Sequence, residues 1–159
     1  MEEIRRLSRI ALPRDDNYIF RLGTALYGFA SINSFMCEII AGLNPTHSHT
    51  TLQDMESAKI LQIFRAELKN LISISKLSDI HEIMKNTADL FHDLHSERND
   101  IMHAYPITGM TGEQILHRRR DSVGKYFEVT NEFLDNFISR LHDVSAGLYT
   151  IRTAVRGVE

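Results

Sequence analysis

The stretch LHSERNDIMHAYP, Leu94 to Pro106, decides how the rest of the chain is read. Leu94 and Ile101 stand two helical turns apart and extend an apolar stripe that runs through Ile80, Ile83 and Leu90, with Thr87 as a polar interruption. Ser78 or Asp79 can cap this helix at its start. Pro106 disfavours helical geometry at Tyr105, so the helix is expected to end near His103 or Ala104. A helix with a single apolar stripe must bury it against others, and the flanking sequence offers three partners.

Upstream, Ile19, Leu22, Leu26, Phe29, Met36, Ile40 and Leu43 follow alternating steps of three and four, which predicts a helix over 16–43. Asn33 takes the seam position between Phe29 and Met36, where it needs a hydrogen-bond partner. After NPTHSHT a second helix is expected, capped by Thr50 or Thr51, with Leu61, Phe64, Leu68 and Leu71 in line and fading near ISISKLSD. Downstream, the segment from Pro106 to Asp121 has two glycines and a short apolar pair, Ile115 and Leu116, which suits a loop or small hairpin. A last helix is then predicted from about Gly124 or Lys125, with Thr130, Leu134, Phe137, Leu141, Val144, Leu148 and Ile151 on its seam. The expectation is one all-α domain over 1–159, an antiparallel four-helix bundle with no substantial sheet.

Composition narrows the function classes. The 159 residues are 43% hydrophobic and 25% charged, ordinary for one soluble domain. A net charge of −3 argues against coating nucleic acid or anionic membrane through bulk charge, so any phosphate-binding patch must be local. Cys37 is the single cysteine, which rules out an intrachain disulfide and a cysteine-built zinc site; it neighbours Met36 and Ile39 and reads as a buried thiol. The first residues, MEEIRRLSRIALPRDD, lack the apolar run of a secretory signal, and a cytoplasmic setting is expected. Leu22 to Cys37 is free of charge, but it is shorter than a typical span and carries Gly23, Thr24, Gly28, Ser31, Asn33 and Ser34, so it reads as a core helix with no membrane role. No phosphate-cradling glycine loop, dinucleotide fingerprint or Gly-x-Ser-x-Gly elbow is present.

The polar residues of the opening stretch fall on two faces. At about 100° per residue, Arg98 projects within about 40° of Leu94, at the edge of the buried stripe, where its charge needs a partner. His92, Ser96, Asn99 and His103 project within about 60° of one another on the side opposite Leu94. Arg98 and His103 are then about 140° apart, so either the helix deforms before Pro106 or a second subunit completes a shared site.

Arg98-Asn99-Asp100-Ile101-Met102-His103 resembles the motif of the HEPN superfamily: an arginine, a polar residue that is often asparagine, and a histidine after four to six intervening residues. Members are small helical-bundle proteins that include many prokaryotic toxin, phage-defence and RNA-processing ribonucleases. The likeness is sharp at these six residues and loose across the bundle. It implies a homodimer whose paired motifs cleave RNA without metal or other cofactor, as a toxin or effector that can have a cognate antitoxin protein. It also implies roles. His103 would be the general base or acid, Arg98 would hold phosphate oxygens, and Asn99 would orient the phosphate or His103. These residue types suit attack by an RNA 2′-hydroxyl, which needs proton removal, proton delivery and relief of negative charge.

His117, Arg118, Arg119, Arg120 and Lys125 form a local basic run that would guide an RNA backbone to the motif. Tyr105 can stack on a base or pack on the bundle end. Two rival classes stand beside the nuclease. One is a non-catalytic helical module that binds a partner protein or nucleic acid, with Arg98 and His103 in a dimer interface. The other is a metal enzyme built on His92 and His95, with Asp93 and Glu97 near them and His47 and His49 in a loop; the Glu-x-x-His pairs of di-iron bundles are absent, and no metal is expected.

Overall fold

A computed structural model of the protein describes residues 2–8, 12–74 and 80–156, so the expected caps Ser78 and Asp79 lie outside the described residues. The order is α1 (Glu2–Ser8), α2 (Asp16–Leu43), α3 (His49–Gln53), α4 (Ser57–Ile74), α5 (His81–Met102), β1 (Tyr105–Thr108), β2 (Gln114–Arg120), a 3-10 turn (Asp121–Val123), β3 (Lys125–Val129) and α6 (Asn131–Arg156).

The long helices α2, α4, α5 and α6 surround a continuous core that includes Phe29, Met36, Ile40, Phe64, Phe91, Leu94, Phe137 and Leu148. α6 packs between α2 and α5 on one side of the ring, and α4 closes it on the other side against the same two helices. Helix α2 meets the length and hydropathy of a membrane span, and a third of its most apolar stretch is buried in this core. Asp15 caps it, its side chain accepting from the Asn17 N–H at 2.9 Å, which satisfies a donor that the first turn leaves free. Cys37 is fully buried, and burial raises the pKa of its thiol.

Three expectations need correction. The second helix is two pieces, because 54–56 interrupts it and Thr50 and Thr51 fall inside the short α3. On α5, Ile83 is 38% exposed while Met84, Thr87, Ala88 and Phe91 are buried, so the stripe lies one residue to the side at its start. Most consequential, the region before the last helix is a three-stranded antiparallel sheet in the order β1-β2-β3, so the chain is mostly helical but not all-α. Residues Lys125 to Val129 are strand, and the last helix begins at Asn131, where Thr130 accepts the Phe133 N–H through its side chain at 3.1 Å.

The sheet closes one end of the helical core. Val129 and Ile115 are buried, Phe127 packs on Phe133 of α6, and the Leu116 N–H donates to the buried Tyr18 hydroxyl of α2 at 2.9 Å. Two glycines make its turns possible. Gly112 at φ 88° closes the β1–β2 loop, and Gly124 at φ 61° ends the 3-10 turn, both in the left-handed region. At the other end of α5, the helix packs so closely on α6 that a Cβ on Gly147 would lie 2.0 Å from the Thr87 hydroxyl oxygen.

Candidate functional site

The last two turns of α5, the start of α4 and strand β2 enclose an open polar cavity of about 740 Å³, lined by Glu56, Ser57, His95, Arg98, Asn99, Asp100, His103, Arg118 and Arg120, with Met55 and Ala58. The three residues of the candidate motif, Arg98, Asn99 and His103, therefore share one cavity within one chain. The helix end accounts for this. Helix α5 stops at Met102, and His103 follows at φ −107° and ψ 14°, with its N–H still donating to Asn99 and Ile101 carbonyls. The His103 side chain is exposed.

Arg98 is half-buried and has no carboxylate partner among the described residues. Its guanidinium sits 4.8 Å from the centre of the Phe29 ring, and it donates to the buried Ser57 hydroxyl at 3.2 Å. Its Nε is enclosed without a hydrogen-bond partner among the described residues. Burial lowers its pKa, although an arginine stays charged at any physiological pH. The arrangement offers a desolvated cation with donors to spare, directed by an aromatic face, and an anion entering the cavity is the natural complement.

The two acids of the opening stretch are already committed. Glu97 holds Arg140 of α6 in a two-pronged pair, one contact at 2.9 Å. Asp100 is buried and pairs with Lys125, while Arg118 Nε lies 3.8 Å from its other oxygen. Arg118 also donates to the His103 carbonyl at 2.7 Å. Asp100 thus ties β2 and β3 to the end of α5, and through Arg118 it fixes the backbone that presents His103.

His95 is a cavity residue that the motif does not contain. Its Nε2 is 3.2 Å from the Asn99 amide nitrogen, and its Nδ1 is enclosed. Burial, then the nearby Arg98 and His92 charges, depress its pKa, with Glu56 acting weakly the other way. A neutral imidazole can accept from Asn99 and hold that amide in place. The signal in the sequence was the spacing: His95 and Asn99 are four residues apart, one turn on the same helix face.

The basic run divides. In the β2–β3 register Arg120 pairs with Lys125 and Arg118 with Phe127, and this set faces the helices and the cavity. His117 and Arg119 alternate onto the opposite face, where Arg119 bonds Asp121 at 2.7 Å. The run was expected in a loop or small hairpin; a strand's twofold alternation splits it between two surfaces.

Among the described residues no three His, Cys, Asp or Glu side chains gather as metal ligands. His47 is bound to Glu67 at 2.8 Å, where Asn44 also donates at 3.0 Å, so that loop histidine is engaged structurally. No family model, curated protein or solved structure matches the chain.

Proposed function

We propose that this chain is a metal-independent endoribonuclease of HEPN type, an antiparallel helical bundle that acts in the cytoplasm as a homodimer, with a toxin or phage-defence effector role held to an antitoxin partner. The observation that carries the reading is the half-buried Arg98, with no carboxylate partner among the described residues, in one cavity with Asn99 and the exposed His103. A phosphodiester supplies the anion that this arginine lacks.

In this mechanism Arg98 binds a non-bridging oxygen of the scissile phosphate and stabilises the charge that grows on the phosphorane. His103 stands at the mouth of the cavity and takes the proton from the 2′-hydroxyl, or delivers one to the departing 5′-oxygen. Both transfers occur in one cleavage, and His103 of the partner subunit supplies the second. Asn99, steadied by His95, donates to the phosphate and sets its orientation. Arg118 and Arg120 hold the adjoining backbone phosphates at the cavity rim.

The test is incubation of the purified protein with single-stranded and structured RNA in excess chelator, alongside Arg98→Ala and His103→Ala. Cleavage by the wild type that falls at least about 100-fold in His103→Ala is expected from loss of one proton-transfer group. Absence of cleavage, or cleavage unchanged in both variants, overturns the assignment. If the substitutions alter assembly alone, measured by sedimentation, the residues serve a dimer interface instead.

A further inference from the structure

We infer that the outer face of the sheet is a base-stacking platform for single-stranded RNA, adjoining the phosphate-binding cavity; the inference rests on the nuclease reading for the identity of its ligand. Tyr105 of β1 lies opposite His117 of β2, and Tyr126 of β3 lies opposite Arg119, one step along the same face. The His117 and Tyr126 rings are 5.7 Å apart, centre to centre. Adjacent strands are about 4.8 Å apart, so three ring-bearing side chains stand in a row from three neighbouring strands. Tyr105 is 68% exposed and Tyr126 58%, and no described element covers them.

Large exposed rings on a flat surface can stack on nucleobases of any sequence. The same face carries a cation beside the Glu128 carboxylate. Arg119 shares this face, and its pair with Asp121 is largely solvent-exposed, so it exchanges readily for phosphate. Because side chains alternate along β2, His117 and Arg119 serve the outer face while Arg118 and Arg120 serve the cavity. One strand thus presents ring and cation to a base-lined stretch of chain on one side and cations to phosphates on the other. Glu128 lies opposite His117 and accepts the Tyr126 hydroxyl at 2.8 Å, which braces that ring on the sheet.

The probe is a fluorescent 12-nucleotide 2′-O-methyl oligouridine, which cannot be cleaved through its 2′-oxygen, compared with an abasic backbone of equal length and charge. Tyr105→Ala and Tyr126→Ala are each expected to weaken oligouridine binding by about 5- to 150-fold, the range of a single base–aromatic stack, while Tyr126→Phe retains it. Binding of the abasic backbone should be unchanged by either tyrosine substitution. Equal affinity of wild type and tyrosine variants for oligouridine overturns the platform, as does a wild type that binds the two probes alike or binds neither. A loss of self-association alone assigns the face to protein contact and likewise overturns it. Base-dependent binding that needs the tyrosines, in a protein that cleaves no RNA, sustains the platform and removes the nuclease reading; cleavage indifferent to the tyrosines at limiting RNA does the reverse.

Discussion

Gly147→Ala tests how the helix that carries the site is seated. The added Cβ would lie 2.0 Å from the Thr87 hydroxyl oxygen, 3.1 Å from Thr87 Cβ and 3.2 Å from its methyl carbon. Ordinary contact begins near 3.4 Å, so α5 and α6 must part or Thr87 must leave its rotamer. Overpacking of this kind costs about 1–3 kcal/mol, and so deep an overlap belongs at the upper end. Alanine in place of glycine in a helix returns about 1 kcal/mol. The expected net loss is about 2 kcal/mol, or about 4–8 °C in Tm for a chain of this size. In a Thr87→Ala background the closest atom is gone, so the same Gly147→Ala change should become nearly neutral or stabilising by up to about 1 kcal/mol. Urea unfolding of the four proteins in the cycle measures the coupling. A Gly147→Ala protein as stable as wild type, or a loss that persists without the Thr87 hydroxyl and methyl, refutes the close-packing argument.

Asp100→Asn should cost about 1–3 kcal/mol by denaturant unfolding, since Arg118 and the partly exposed Lys125 lose their shared carboxylate, and RNA cleavage should fall further than stability alone explains because the His103 backbone loosens. His95, with its pKa depressed below the ordinary 6.5, binds fewer protons folded than unfolded; stability is therefore fully present above about pH 6.5 and declines as pH falls toward the folded value. Substituting His95→Gln should flatten that part of the pH–stability curve, and an unaltered slope would contradict the assignment. Cys37, fully buried with its pKa raised by burial, should react with a thiol reagent only at the rate of unfolding; rapid labelling of the native protein would disprove its burial.

Helical periodicity made α2, α5 and α6 legible because each buries one stripe of Leu, Ile, Met and Phe and leaves the rest to water. Pro106 marked the end of α5 to within a residue or two. The sheet was hidden for a physical reason. In β2, Leu116, His117 and Arg118 are all partly covered and Arg118 opens a run of three arginines, so no apolar alternation betrays the strand. β3 begins with residues that also fit a helix start, and only its pairing with β2 makes KYFEV extended.

From the sequence alone came the helical character, the residue types of the candidate chemistry and their order on one helix. Tertiary structure decided which of them meet. Arg98 and His103 reach a common cavity because the helix ends between them and Pro106, and because Asp100 fastens the sheet to that end. The partition of His117–Arg120 between an outward face and the face that borders the cavity follows from strand pairing across β1 and β3. Local sequence sets what each side chain can do, whereas burial, pairing and helix termination depend on residues distant along the chain and set where it does it.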